Sequence, residues 1–316
     1  MSQFVEADFV VPFELSDNRF DQVLTELMPD YSRSRLQQWI KQGQATLNGK
    51  TLKPKEKVKV NDLIEVKAEL EDQGDWLPED IPLDIVYQDD DILIINKPTG
   101  MVVHPAAGNY SGTMVNALLH HFPDIKTIPR AGIVHRLDKD TTGLMVVAKT
   151  LTAHAHIVKQ LQSREMGREY EAVVCGVMTG GGKVDQPIAR SPKNRKKMAV
   201  HPFGKKAVTH YRVLEKFAAH THIRVRLETG RTHQIRVHMA HINYPLIGDS
   251  TYAGRLKIPS NVSEEVKQSL RTFSRQALHA KKITLVHPKT GEEMSWESEL
   301  PEDMQILLDT LSAPIE

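Results

Sequence analysis

One segment concentrates groups able to do acid–base or nucleophilic chemistry. Gly132-Ile133-Val134-His135-Arg136-Leu137-Asp138-Lys139-Asp140-Thr141-Thr142-Gly143-Leu144 sets a His, an Arg, two Asp and a Lys directly before the apolar run Leu144 to Ala148. Loops on strand ends are where active sites sit. A carboxylate there is available as nucleophile or base, and a neighbouring Arg can contact phosphate or occupy a vacated base position. A salt-bridged surface turn would need the same residues. A second segment, Leu227-Glu228-Thr229-Gly230-Arg231-Thr232-His233-Gln234-Ile235-Arg236-Val237-His238-Met239, reads as strand, glycine turn, and a helix from about Thr232 with Ile235, Met239 and Ile242 inward. The turn presents Arg231 at the strand's end, where it can pair with a carboxylate from another loop. An Arg within about 4 to 6 Å lowers an Asp pKa by roughly 1 to 3 units, which suits a nucleophilic aspartate. Phosphate binding by Arg231 fits the spacing equally well.

Several other chemistries lack their residues. No glycine-rich loop runs into Lys-Ser/Thr, and Gly180-Gly181-Gly182 lacks the spacing of a dinucleotide fingerprint. Cys175 is the one cysteine, so neither a disulfide nor a deaminase-type zinc site can form within the chain. There is no His-Glu-x-x-His, and close pairs such as His238 and His241 read as solvated or phosphate-facing. No cofactor and no metal are expected.

Charge points to the partner. The 316 residues hold 41 Lys/Arg and 40 Asp/Glu, but these are segregated. Tyr31 to Lys67 has nine bases and three acids, Glu69 to Asp91 has ten acids and no base, and Gln186 to Ala240 has thirteen bases and two acids. Two basic blocks separated by an acidic hinge suit two surfaces meeting one polyanion, because cations gain affinity by displacing counterions from phosphates. No apolar run approaches the roughly 18 residues of a spanning helix, and the start carries Glu6, Asp8 and Glu14 without a basic leader. A cytoplasmic, monomeric protein with no membrane partner is expected.

The positioning elements divide in two. Asp17 to Leu77 is expected as a small module ending in an acidic linker. Asn18 to Met28 forms one helix with Phe20, Val23, Leu24 and Leu27 on its face, and Ser32 caps a second carrying Leu36, Trp39 and Ile40 inward with Arg33 and Arg35 facing solvent. Asn48-Gly49 signals a hairpin, with Val58, Val60, Ile64 and Val66 continuing as strands. From Pro82 to Glu316 strands and helices alternate irregularly, so the class is α+β.

The first module resembles the alpha-L RNA-binding domain: Ser32-Arg33-Ser34-Arg35 and Asn48-Gly49-Lys50 fit it, while Asn18-Arg19-Phe20-Asp21 departs slightly from its usual Gly-x-Arg-Leu-Asp opening. The remainder resembles the pseudouridine synthases that modify ribosomal and transfer RNA, and among them the ribosomal large-subunit enzymes. His135-Arg136-Leu137-Asp138, Thr141-Thr142-Gly143-Leu144, Arg168-Glu169-Tyr170, Gly230 to Arg236, Asn96-Lys97-Pro98, His104-Pro105 and Gln276-Ala277-Leu278-His279-Ala280 carry the resemblance. It implies a mixed, mainly antiparallel sheet flanked by helices, and isomerisation of uridine in RNA.

By the same resemblance Asp138 is the catalytic aspartate, either attacking C1′ or taking a sugar proton. Tyr170 lies against the base and helps remove the C5 proton, although on its own it reads as a buried strand aromatic. Arg231 pairs with Asp138, and Arg136 fills the gap left by the flipped nucleotide. His135, Arg33, Arg35, Lys50 and Arg236 are further candidate RNA contacts. The implied partner is large-subunit (23S) ribosomal RNA or the assembling large subunit, with clustered uridines of the helix 69 hairpin as target. Other ribosomal or transfer RNA uridines, or a non-catalytic RNA-binding assembly role, are the alternatives.

Overall fold

The computed structural model describes residues 4–313 apart from 30, 32, 70–75, 106–108, 193, 195, 196, 256, 257 and 261. The N-terminal module comprises β1 (Phe4–Val10), α1 (Phe20–Leu27), α2 (Arg33–Gln42), β2 (Ala45–Leu47) and β3 (Leu63–Glu69). Phe20, Val23 and Leu24 of α1 and Leu36, Trp39 and Ile40 of α2 are buried against Val58, Ile64 and Val66, the faces the periodicity requires. Asp21, fully buried, joins the helices by accepting hydrogen bonds from Arg19, Arg33 and Gln37.

Two details differ from the sequence reading. The module begins before Asp17, because β1 pairs along its whole length with β3, giving an antiparallel sheet ordered β1-β3-β2. Asn48 and Gly49, at φ 51° and 71°, do turn the chain between Leu47 and Lys50, and Ile64 and Val66 do lie in a strand, β3, but Val58 and Val60 do not. A turn at Lys53–Glu56 containing Pro54, which has no N–H to offer a ladder, diverts the chain, and Val58 instead bonds Asp17 and Asn18. Ser32, expected to cap α2, lies outside the described residues, as do 70–75 of the acidic linker.

By Leu77 the chain is fastened to the larger body, where Asn116 Nδ2 donates to Leu77 O at 2.7 Å and Glu79 N donates to Asn116 O at 3.0 Å. That body comprises β4 (Ile85–Gln88), β5 (Ile92–Lys97), α3 (Met114–His121), β6 (Thr142–Ala148), α4 (Leu151–Ser163), β7 (Gly167–Cys175), β8 (Gly182–Asp185), β9 (Ile188–Arg190), β10 (Met198–Val200), β11 (Val208–Lys216), β12 (His220–Leu227), α5 (Gln234–His241), α6 (Glu264–Thr272), β13 (Leu278–Val286), β14 (Glu293–Glu297) and α7 (Glu302–Ser312). One sheet runs β4-β5-β6-β13-β7-β12-β11-β8, with β14 also on β13, and only the β6–β13 pair is parallel. The short hairpin β9–β10 stands apart from it.

Side-chain alternation explains why the central strands read as continuous apolar runs. Leu93, Ile95, Met145 and Val147 face the core under α3, while Ile92, Ile94, Leu144 and Val146 face the core under α4. Helices α6 and α7 cover the sheet near Val173. Helix α6 ends at Thr272, which leaves Arg275 outside the helix and available for another task. No helix among the described residues is long and apolar enough to cross a membrane.

Candidate active site

Asp138 lies in the loop that leads into β6. The loop is closed by Thr141 N donating to Asp138 O at 3.1 Å. Three elements of the sheet and its surroundings pin its other polar groups. Lys97, at the end of β5 and 1% exposed, donates to the carbonyls of Pro98, Met101 and Lys139 at 2.8, 2.9 and 2.8 Å. Arg275 Nη1 reaches Asp140 O at 3.3 Å while Nε and Nη2 hold Asp303 of α7 at 2.6 and 2.7 Å. Gln276 Nε2 donates to Thr141 Oγ1 at 3.0 Å. Burial pushes the Lys97 pKa down to about 8, against the opposing fields of Asp140 and Asp138. Gly143, at φ 108°, completes the support: a Cβ there would stand 2.3 Å from Ala280 O, so only glycine lets β6 close on β13 beside the loop.

The opposite wall comes from the turn after β12. Gln234 locks it, accepting from Thr229 Oγ1 at 2.8 Å and Arg231 N at 3.0 Å and donating to Val208 O and Thr209 Oγ1 at 3.0 Å each. This lock decides which arginine meets the aspartate. Arg231 is turned outward, with Nε donating to Lys206 O at 3.1 Å, so the pairing expected of it does not form. Arg236, one helical turn further on, points inward: Nη1 lies 2.9 Å from Asp138 Oδ2, and Nε and Nη2 lie 2.7 and 2.9 Å from Asp249. Burial works against the Arg236 charge, but the hydrogen bonds and charges of Asp249 and Asp138 outweigh it and push its pKa up. The guanidinium therefore stays charged and acts as a fixed partner for Asp138.

Around this pair stand His233, with Nε2 3.8 Å from Asp138 Oδ1 and Nδ1 2.7 Å from the Tyr252 hydroxyl, and the Tyr252 ring, 5.1 Å from the Arg236 guanidinium. Burial lowers the His233 pKa although Asp138 opposes this. Tyr170, in the central strand β7, is 6% exposed and lines the same cleft, and burial raises its pKa. The cleft encloses about 780 Å³, a size ordinary for a small-molecule or nucleotide pocket, and is walled by Arg130, Arg136, Arg164, Arg168, Arg231 and Arg236 against the acids Asp138 and Glu228.

The remaining expected contacts are distributed unequally. Arg136 is exposed on the cleft wall. His135 lines the cleft but accepts the Val146 N–H on Nε2 at 3.1 Å; burial and then Arg168 lower its pKa to about 3, so the ring is neutral and fastens the loop to β6. Lys50 is exposed at its turn. Arg33 and Arg35 do not both face solvent. Arg33 binds Asp21 at 2.7 Å, and Arg35, 7% exposed, donates from Nη2 to Thr127 O of the larger body at 2.9 Å. Helical spacing alone could not reveal that this face of α2 is an interdomain contact.

Sequence reasoning missed Asp249, His233 and Tyr252 as members of the site, and Arg130, Arg164 and Arg168 as walls. His233 lay inside a recognised motif; Asp249 and Tyr252 had no local signal. Arg130 and Ala131 adopt left-handed φ of 55° and 50°, each costing roughly 1–2 kcal/mol for a residue with a Cβ. That conformation immediately precedes the Asp138 loop. Asp89, Asp91 and His287 form a group spaced for a metal, but His287 Nε2 bonds Asp89 at 2.8 Å and its Nδ1 accepts from Lys289 and Thr290 N–H groups.

A small basic helix-pair module joined to a mixed sheet, with a carboxylate–guanidinium–carboxylate chain at the floor of an arginine-walled cleft, suits an enzyme that acts on RNA. The chain belongs to the RNA pseudouridylate synthase family, whose model matches residues 91–241, and carries an S4 domain over residues 19–64. It is thus an isomerase with the expected α+β fold and RNA-binding appendage. Ribosomal large subunit pseudouridine synthase D of Pseudomonas aeruginosa is 58% identical to it over 311 residues, covering 98% of this chain and 97% of that protein. The protein of the same name in Escherichia coli K12 is 56% identical over 317 residues, covering 100% and 97%. The solved structure of human RNA pseudouridylate synthase domain containing 4 shares 27% identity at a TM-score of 0.55, over 72% of this chain and 92% of that one.

Proposed function

We propose that this enzyme converts uridines of large-subunit ribosomal RNA to pseudouridine, with the clustered uridines of the helix 69 hairpin as target, and that it works as a cytoplasmic monomer during ribosome assembly. The observation that carries the catalytic part is the Asp138–Arg236–Asp249 chain at the floor of the cleft. The large-subunit substrate is supported by the names of the two relatives, which align over nearly the full chain, and the helix 69 hairpin is the finer target this reading assigns.

In this reading the uridine is flipped out of its stack, at a cost of a few kcal/mol that phosphate contacts offset. Arg136 occupies the vacated place, and Arg231, on the wall beside Lys206, contacts backbone phosphate. Asp138 acts on the ribose, at C1′ or by removing a sugar proton, and the N1–C1′ bond breaks. The uracil turns, C5 bonds to C1′, the C5 proton leaves and N1 takes a proton, so product and substrate are isomers. Tyr170 lies against the base. With its pKa above the ordinary value of about 10, it assists C5 deprotonation through position or a water rather than as a phenolate. Arg236 takes the pairing role first expected of Arg231.

Pseudouridine mapping of ribosomal RNA from cells lacking the protein tests the target. Loss confined to the helix 69 uridines, restored by the wild-type chain and not by Asp138→Asn, is expected. Loss at other uridines would leave the chemistry standing and overturn the target.

A further inference from the structure

Phe203 is the most exposed large apolar side chain among the described residues, at 93%. It sits in the link between β10 and β11, and that link is rigid. Gly204 N donates to His201 O at 2.8 Å, His201 N donates to Pro187 O at 2.9 Å, and Lys205 and Ile188 exchange both backbone hydrogen bonds at 2.9 Å. A Cβ on Gly204 would stand 2.5 Å from the Ile188 carbonyl carbon, so the turn lies directly on β9. The His201 ring flanks Phe203, with centroids 5.8 Å apart. A backbone fixed on both sides thus holds a bare aromatic ring in water, where its hydrophobic surface is unfavourable.

The ring's surroundings indicate what covers it. Gln186 to Ala207 contains seven Lys/Arg and no Asp or Glu, and Lys205 and Lys206, two and three residues along the chain from Phe203, are exposed. The link also adjoins the cleft, because Arg231 on the cleft wall holds Lys206 O. Phe203 is three residues from that anchor, at most about 11 Å of extended chain. Aromatic faces among cations are the chemistry of single-stranded nucleic acid binding, in which bases stack on the ring and phosphates meet the charges.

We propose that Phe203, backed by His201 and flanked by Lys205 and Lys206, is a stacking platform for an unpaired base neighbouring the nucleotide held in the cleft. The proposal rests on the reading that RNA enters this cleft. Extruding a nucleotide interrupts the stack on both sides of it, and an exposed ring within reach of the cleft recaptures a neighbouring base, independently of its identity.

The test uses the full-length protein and unmodified large-subunit ribosomal RNA, transcribed with C5-tritiated uridine. Phe203→Ala is expected to raise KM about 5- to 50-fold with an unaltered melting temperature, while Phe203→Tyr stays within about twofold of wild type. Indole emission of a Phe203→Trp variant, read against the wild-type background, is expected to be quenched by single-stranded oligouridine and not by a blunt RNA duplex. An unchanged KM in Phe203→Ala, or emission of the Phe203→Trp variant that ignores single-stranded RNA, overturns the platform. If the wild type releases no tritium, the proposed function fails instead, and the emission measurement still decides the platform.

Discussion

Arg236 Nη1 lies 2.9 Å from Asp138 Oδ2, on the far side of the guanidinium from Asp249, which holds Nε and Nη2. The cation facing Asp138 is therefore immobilised from behind. Asp249 is 2% exposed, and its Oδ1 also accepts the Thr251 and Tyr252 N–H groups at 2.9 and 3.1 Å. Asp249→Ala would leave a buried guanidinium half-paired and two amides without an acceptor. Breaking such a pair costs about 3–5 kcal/mol. Urea unfolding should show a loss of that size, with kcat reduced in the folded fraction, and Asp249→Asn should lose less. Wild-type stability in Asp249→Ala would contradict this account of the site.

Lys97 gives the site a titration on its alkaline side. Its folded pKa of about 8 lies below the free value of 10.5, so between these pH values the unfolded chain binds more protons. The charged form opposes folding at neutral pH, and this opposition fades as pH rises through the window. Activity should move the other way. A neutral amine has two N–H donors for the three carbonyls of Pro98, Met101 and Lys139, so the Asp138 loop loses a tether. The kcat profile should fall with an apparent pKa near 8, and Lys97→Gln should lack that limb while showing lower activity throughout. An identical limb in Lys97→Gln would refute the assignment.

The N-terminal module offers a contrast between two basic residues. Lys50 is exposed, whereas Arg35 is committed to Thr127 O, in the segment that leads toward Arg130 and the Asp138 loop. Each phosphate contact contributes about 0.7–0.9 to the slope of log affinity against log salt. Lys50→Ala should flatten that slope by up to one contact's share. Arg35→Ala should leave it unchanged and loosen the docking of the module, measured as faster amide exchange around 123–131. Deleting the residues before Leu77 should weaken RNA binding and flatten its salt slope more than it lowers single-turnover rates.

What could be read in the sequence was local. Leu36, Trp39 and Ile40 declared the buried face of α2, and Leu144 to Ala148 declared a strand buried on both faces, because helix and strand periods are written in neighbouring residues. Strand β1 was passed over because it is an edge strand whose outward side carries Phe4 and Val10 among its acids, blurring the alternation. The site divided along the same line. The segments around Asp138 and from Gly230 to Arg236 stood out, and Tyr170 entered only through the family resemblance, but which arginine met the aspartate depended on Gln234 locking a turn through Thr209 and Val208 of another strand. Asp249 and Arg275 act through partners more than ten residues away, and no local pattern encodes such a contact.

The central claim is that the Asp138 carboxylate, set against Arg236, drives the rearrangement. Tritium release from C5-labelled ribosomal RNA tests it most directly. The wild type should release tritium, and Asp138→Asn, which keeps the shape and accepts a hydrogen bond from Arg236, should release none while binding RNA within a fewfold of wild type. Release by Asp138→Asn at a comparable rate would contradict the account.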